Sequence, residues 1–223
     1  MKYQLNVWKA LIHPRTHLYQ LAQSEVIGSL KRNTFILLLL SLSVFFVKGM
    51  LGIEQHPISR ELVTLSMDEF IERKTYFFVG QILNGGLYPL LFIVLPAIYY
   101  WSLTDIEFKK LIAVHMIVFP IYLLQSIIQA LLYVLPGLPW YSSPLSLGIL
   151  AQILTNNEFF IYFFGSITWF QVWIFYIQFK ALKELTSINN SKKILFITVF
   201  HIIIILIHSL LSYIDFYQLV KGL

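Results

Sequence analysis

The stretch from Ile194 to Ile214 reads ILFITVFHIIIILIHSLLSYI and contains no acidic or basic residue. A helix of about 20 apolar residues is long enough to cross the ~30 Å hydrocarbon core of a bilayer. Four other runs of similar length and polarity precede it, at Asn33–Ile53, Phe77–Trp101, Leu111–Leu135 and Phe159–Phe179. The sequence therefore predicts an all-α fold, a polytopic membrane helix bundle of about five transmembrane helices.

The composition agrees with this fold class. Hydrophobic residues make up 58% of the 223 residues and charged residues only 12%, about half the proportion that is usual in soluble proteins. The sequence contains no cysteine, which excludes disulfides, thiolate catalysis and cysteine-based metal sites. No small-residue cleavage site follows the first run, so we interpret that run as a retained span and not as a signal peptide.

The basic residues are distributed unevenly along the chain. The N-terminal segment and the second and fourth loops hold 11 of the 16 Lys and Arg residues, whereas the first loop and the C-terminal tail hold four. By the positive-inside rule, the N-terminus is expected in the cytoplasm and the C-terminus outside a cell membrane. Topology and attraction to anionic lipid account for the net charge of +5, so the expected partners are the lipid bilayer and other membrane proteins, not nucleic acid.

We expect one membrane domain, formed by a cytoplasmic amphipathic segment (1–32), a five-helix bundle (33–215) and an outer tail (216–223). In the first of these, Leu5, Trp8, Leu11 and Ile12 recur at helical spacing, and Pro14 ends that pattern. Two interpretations remain open: the helix lies in the cytoplasmic membrane interface, or it folds back on the bundle. Trp8 and Pro14 are candidate partner contacts in either case.

The first outer loop carries a second candidate partner surface. Between Glu54 and Tyr76, a helix-like stripe of apolar residues is accompanied by acidic residues, at Glu61, Asp68, Glu69 and Glu72. A solvated helical face is the simpler explanation of such charges. Recognition of a cationic ligand or of a partner protein is the alternative.

Polar residues inside the runs form a possible midplane site. Its candidate members are Asn84, His115, Gln125, Gln129, His201 and His208. Intramembrane polar residues usually face the bundle interior, where they hydrogen-bond between helices; a proton, metal or ligand site is the alternative. His201 and His208 lie two turns apart, about 10 Å, which is too far for both to bind one metal ion without ligands from another helix.

No sequence motif for catalysis is found. The chain lacks H-E-x-x-H, G-x-S-x-G, the P-loop and the dinucleotide fingerprint, and the runs contain no Asp or Glu near their centres. We therefore expect a protein that is not an enzyme and that has no catalytic residue, cofactor or metal. The second run contains Gly85 and Gly86 and is interrupted by two prolines, which favours close helix approach or, alternatively, a broken helix at a transport site.

Short motifs spread over most of the chain point to a family. They are Trp8-x-x-Leu11-x-x-Pro14, Thr104-x-x-x-Phe108-Lys109, Phe119-Pro120, Trp169-Phe170-x-x-Trp173 and Ser191-Lys192-Lys193. In this pattern the chain resembles the Yip family of five-span membrane proteins, and its bacterial members most. The Asp-Leu-Tyr-Gly-Pro motif of the eukaryotic members, which are named for their interaction with Rab-type GTPases, is missing.

The resemblance implies an accessory or scaffolding subunit, since some bacterial members are associated with ABC-type exporters. A role in envelope stress or toxin resistance follows from that association. The alternative function is a small transporter or permease subunit with a midplane polar site.

Overall fold

The computed structural model describes residues 2–53 and 66–214. Its helices are α1 (Val7–Ile12), α2 (Pro14–Ala22), α3 (Leu30–Met50), α4 (Met67–Pro89), α5 (Leu95–Leu103), α6 (Phe108–Val134), α7 (Gly148–Leu154), α8 (Glu158–Gly165), α9 (Trp169–Leu185) and α10 (Asn190–Tyr213). A π-helical turn (Leu90–Val94) joins α4 to α5, and a short 3-10 helix (Trp140–Ser142) precedes α7. Two short strands, β1 (Lys2–Gln4) and β2 (Val26–Gly28), flank α1 and α2.

The all-α fold class is confirmed. Among the described residues, four helical segments are long and apolar enough to cross a membrane: α3, the continuous α4–α5 segment, α6 and α10. The predicted fourth run is not one continuous helix, and in this respect the prediction is wrong. Gly165 and Ser166 end α8, and the Thr168 side chain caps α9 by accepting a hydrogen bond from the Gln171 amide.

The interruption of the fourth run is held in place by the preceding loop. The Leu147 amide donates to the Ile167 carbonyl and the Trp169 amide to the Leu145 carbonyl, at 3.1 Å each. Close packing also requires glycine here, because a Cβ at Gly148 would collide with the backbone of the 3-10 helix. Backbone groups freed by the break are therefore bonded to protein, as burial in a membrane demands.

The second predicted run is part of a longer helix. Helix α4 begins at Met67, ten residues before the predicted start at Phe77, because Ser66 and Glu69 form a capping box. Pro89 and Pro96 lie on either side of the π-helical turn. Each proline lacks the backbone N–H that would donate a helical hydrogen bond, and the altered geometry of the turn lets the helix continue past both. The prolines thus alter the helical geometry and do not separate two spans.

Helix α6 forms the centre of the bundle. It contacts α1, α2, α3, α5 and α9. Within its apolar window 72% of the residues are buried in the protein, against 28–33% in the other three candidate spans. Phe119 and Pro120, in the middle of α6, are both buried. The other spans are arranged around this helix and leave much of their apolar surface outside.

Helices α3 and α4 pack closely at one glycine. The Ser41 hydroxyl donates to the Gly85 carbonyl at 2.7 Å, and a Cβ at Gly85 would lie 3.0 Å from that of Phe45. A Cβ at Gly86, in contrast, would meet nothing within 4 Å. Of the two glycines expected to allow close approach, only Gly85 does so.

The N-terminal segment folds back on the bundle, which answers the question that the sequence left open. Helix α1 packs on α6, and α2 packs on α9 and α6. The predicted apolar stripe is right for Leu5 and Leu11, which pack in the core, and wrong for its other two members, since Asn6 caps α1 and the buried helical residues are Val7 and Ala10. Trp8 and Ile12 instead point outward and are 52% and 71% exposed.

The start of the chain is fastened by hydrogen bonds to later residues. Strand β1 pairs in parallel with β2, and the Asn33 side chain donates to the Leu5 carbonyl at 2.9 Å. The Tyr3 hydroxyl lies 3.0 Å from Nδ1 of His17 on α2. Burial raises the pKa of Tyr3 to about 12, so the hydroxyl is neutral, and the tautomer of His17 decides which of the two groups donates.

Candidate functional site

The six polar residues predicted for a midplane site are distributed over several places. His115 and His201 belong to one buried cluster, which is completed by Tyr100 and Gln178. Gln125 and His208 bond to other groups nearer the opposite end of the bundle. Asn84 is exposed on α4, and Gln129 is half-buried on α6. The observed cluster is therefore smaller than the predicted site and differs from it in composition.

The buried cluster joins four helical segments. His201 Nε2 on α10 lies 2.8 Å from Gln178 Oε1 on α9, and the Tyr100 hydroxyl on α5 donates to the same oxygen at 3.4 Å. The ring of Tyr100 stacks on that of His115 on α6, with 5.5 Å between centroids and 14° between planes. Tyr100, His115 and Gln178 are each 1% exposed. Such contacts fix the relative rotation of the helices.

The hydrogen-bond partners decide which ring nitrogen carries the proton in each histidine. His115 Nδ1 lies 2.8 Å from the Leu111 carbonyl, which can only accept, so Nδ1 is the donor. His201 Nε2 faces the Gln178 carbonyl oxygen and is a donor for the same reason. His115 Nε2 and Gln178 Nε2 have no hydrogen-bond partner in the described part of the chain.

The cluster lies toward one end of the bundle. His115 is about 10 Å along α6 from its first residue, and Gln178 about 10 Å along α9 from its last. The loops that follow α5 and α9 meet at this end, where the Thr186 hydroxyl donates to Asp105 at 2.7 Å. Lys110, in the first turn of α6, donates to the Ala22 carbonyl at 3.2 Å. The N-terminal segment is thus at the same end.

At the opposite end, His208 interacts with the loop region. Its Nδ1 lies 3.0 Å from the Ser166 hydroxyl, and its ring packs edge-on against Trp140 with centroids 4.7 Å apart. Gln125 accepts from the Thr168 hydroxyl at 3.4 Å. Both contacts join a span to the break between α8 and α9, so these residues serve to hold the interrupted run.

The predicted acidic surface is only partly described. Glu61 lies outside the described residues. Asp68, Glu69 and Glu72 are exposed at the start of α4. The Glu69 carboxylate accepts from the Ser66 amide at 2.9 Å as part of the capping box, which gives this residue a structural role. Asp68 and Glu72 remain the accessible carboxylates of the surface.

The predicted cytoplasmic partner contacts differ in accessibility. Trp8 is 52% exposed, and Lys9 beside it is also exposed. Pro14 is half-buried and is the first residue of α2, a position where proline's missing N–H costs nothing. Trp8 therefore remains a candidate contact, whereas Pro14 has a structural explanation.

Two members of the buried cluster were missed by the sequence analysis. Gln178 is an amide inside the fourth apolar run, and Tyr100 lies at the end of the second. Gln178 follows Gln171 by seven residues, which places both on one face of a helix. That spacing was the available signal, but an amide shows its importance only when its bonding partners on other helices are known.

The described residues contain no group of three or more His, Cys, Asp or Glu side chains placed to hold a metal ion. Comparisons of the chain with protein-family models, with curated proteins and with solved structures found no match. The functional interpretation therefore depends on the geometry of the chain itself.

Proposed function

We propose that this protein is a non-enzymatic integral membrane protein of the bacterial Yip type. In this proposal it is an accessory or assembly subunit for another membrane protein, such as an ABC-type exporter in envelope stress or toxin resistance. The observation that supports it best is that polar side chains inside the bundle bond to one another across helices. Such bonds hold spans together, whereas a transporter needs polar groups that face a path.

The accessible surfaces support the same proposal. Trp8 and Ile12 project from α1 beside the exposed Lys9, although the opposite face of α1 is fully packed. Asp68 and Glu72 are exposed near the start of α4. Aromatic residues are enriched at protein–protein contact surfaces, and charged residues belong to their polar rim.

The proposed location is a cell membrane, with the N-terminus in the cytoplasm and the C-terminus outside. The bonds from Lys110 to Ala22 and from Thr186 to Asp105 bring the three basic regions to one end of the bundle, which suits the positive-inside rule. Helices α8 and α9 together provide the fourth crossing in this topology. Helix α9 alone, with 17 residues, is at the lower limit for a span.

Cysteine labelling tests this topology. Asn156 and Ser187 are exposed and lie in loops on opposite sides of the proposed membrane. In intact cells or spheroplasts, a cysteine that replaces Asn156 should react with an impermeant thiol reagent, and one that replaces Ser187 should react only after permeabilisation. The unsubstituted protein has no cysteine and is the negative control for labelling. The reverse pattern would reject the proposed sidedness.

Paired surface and interior variants test the proposed role. Trp8→Ser with Ile12→Ser, or Asp68→Lys with Glu72→Lys, should prevent co-purification of the partner while the bundle stays folded. Val26→Ser removes an equally exposed apolar residue (55% exposed) and is the matched control. Substitution by Ala of Asn84, His115 or Gln129 should leave partner binding intact.

A small transporter is the second candidate. The π-helical turn between Pro89 and Pro96 and the break after Gly165 favour it, because interrupted helices occur at transport sites. For a transporter the order of effects is inverted. The substitutions at Asn84, His115 and Gln129 would stop uptake or export in cells, and the surface variants would have little effect. That outcome would reject the assembly role.

A further inference from the structure

Two buried polar atoms of the cluster have unused hydrogen-bonding capacity. His115 Nε2 and Gln178 Nε2 have no partner in the described part of the chain, although both side chains are only 1% exposed. Buried polar atoms are almost always satisfied by protein or by ordered water. These two atoms therefore indicate that a ligand completes the cluster.

The chemistry of the two atoms is complementary. Since His115 donates from Nδ1 to the Leu111 carbonyl, its Nε2 carries a lone pair and can only accept. Since Gln178 Oε1 accepts from His201 and Tyr100, its amide nitrogen provides the remaining donors. A ligand that fits both must donate one hydrogen bond and accept another.

Both side chains line the same small cavity, which limits the size of the ligand. Its volume is about 10 Å³, and Tyr100, Ala181 and Leu182 contribute to the rest of its wall. A water molecule needs roughly 10–15 Å³. The space accordingly admits one small molecule with a single heavy atom.

We propose that this cavity binds one water molecule, which accepts from Gln178 Nε2 and donates to His115 Nε2. The water joins His115 on α6 to Gln178 on α9, and it adds a hydrogen-bonded link to the stack of His115 on Tyr100 of α5. With it, one continuous hydrogen-bonded network connects α5, α6, α9 and α10. The site is a structural water site, independent of whether the protein assembles others or transports a substrate.

Solid-state NMR of the full-length protein in lipid bilayers tests the proposal directly. With isotope-labelled histidine, His115 should be protonated on Nδ1 and His201 on Nε2, and His115 Nε2 should receive magnetisation from water protons. His115→Gln and His201→Gln assign the two signals. Protonation of His115 on Nε2, or no transfer from water, would overturn the proposal.

A thermodynamic cycle gives an independent test. Ala181→Val places methyl groups in the cavity and should displace the water, which lowers Tm because two polar atoms lose their partner. In the background of His115→Leu the acceptor is already gone, so the same change should lower Tm less. Because residue 115 lines the same cavity as Ala181, the cycle is repeated in the background of His115→Gln, which keeps an acceptor, to separate the overpacking cost from the loss of the acceptor.

Ala151→Val is the matched control for this cycle. Ala151 is a buried alanine on α7, away from the cluster, and its substitution should change Tm equally in both backgrounds. A rise in Tm on Ala181→Val in the otherwise unchanged protein would show a dry cavity that gains from being filled. That result, or equal effects of Ala181→Val in the two backgrounds, would contradict the water site.

Discussion

Helices α6 and α10 are both long enough to cross a membrane, yet the protein buries them to very different extents. In an apolar 18-residue window of each helix, the mean hydropathy is 2.1 for α6 and 2.7 for α10, whereas the buried share is 72% for α6 and 28% for α10. The more apolar helix is thus the less buried one. In a bilayer, lipid solvates apolar side chains as well as protein does, so hydropathy predicts crossing but not position in the bundle.

What distinguishes the buried side of α10 is a narrow stripe. Ile197, His201, Ile205 and Ser209 follow one another at intervals of four residues and are buried, while Ile202, Ile203 and Ile207 between them are exposed. Two of these four are polar. In α6 almost every residue from Ala113 to Leu123 is buried, so no stripe is visible. The comparison suggests four measurements, given in order of decreasing effect.

The largest difference is expected between two isoleucines. Ile117 on α6 is fully buried, and Ile207 on α10 is 49% exposed. Ile117→Ala should lower the free energy of unfolding by about 2–5 kcal/mol, because it leaves a cavity in protein, whereas lipid can fill the space after Ile207→Ala. Unfolding titrations in mixed micelles measure both. Equal losses would mean that α10 is buried in an assembly.

The adjacent glycines of α4 repeat this comparison within one helix. Gly85→Leu should destabilise the protein by about 1–3 kcal/mol, since the side chain would push α3 away. Gly86→Leu should have almost no effect, because space is open there. Thermal unfolding in detergent distinguishes the two variants. A large effect at Gly86 would reveal a partner helix on that face.

The two histidines of α10 allow a buried polar side chain, His201, to be compared with an exposed one, His208. His201→Leu removes a donor to Gln178 and should cost about 0.6 kcal/mol, the mean for hydrogen bonds between membrane helices, and at most about 1.7 kcal/mol. His208→Leu, at an exposed position near Trp140, should cost less. His201→Gln retains a donor and should recover part of the loss. If His208→Leu lowers stability more than His201→Leu, the contacts of α10 with Ser166 and Trp140 contribute more to stability than the buried cluster.

The smallest effect concerns the N-terminal segment that covers α6. Burial, with smaller contributions from His13 and Lys9, lowers the pKa of His17 below its ordinary value of 6.5. The unfolded segment therefore binds a proton more readily, and stability is lost as pH falls below about 6.5. Hydrogen exchange of Leu18 and Leu21 should be faster at pH 5 than at pH 7.5 after correction for the intrinsic rate.

Two variants control for other titrating groups. His17→Gln should remove the pH dependence of the corrected exchange, because it retains a hydrogen-bonding partner for Tyr3 without a titrating group. Tyr3→Phe removes the hydroxyl that bonds to His17 and should speed the corrected exchange of Leu18 and Leu21 at both pH values. An unchanged pH dependence in His17→Gln would assign it to another residue.

The sequence predicted the helical class because the length of its apolar runs is a local property. It also contained the signal for the interruption after Gly165, because only Ser166 and Ile167 separate this glycine from the capping residue Thr168. The apolar character of the flanking residues obscured that signal. The pairing of β1 with β2 joins residues 24 apart and left no comparable pattern in either strand.

The polar site was predicted only in part for a similar reason. His115 and His201 stand out because they interrupt apolar runs. Whether a polar residue meets another depends on how each helix is rotated about its axis. A helix that is apolar on all sides has no polar face, so its sequence does not show which side points into the bundle. Asn84 and Gln178 are both amides inside apolar runs, yet one is exposed and the other is 1% exposed.

The attachment of α2 to α9 has a consequence for biosynthesis. The ribosome completes α2 well before α9 has been made, and at 5–20 residues per second the interval is on the order of 10–30 s. During that time Leu18 and Leu21, which are fully buried in the finished fold, lack the surface that α9 contributes to their burial. An amphipathic segment with basic residues can rest on the membrane surface meanwhile. The packing of α2 on α9 can therefore form only after the fourth run has been synthesised.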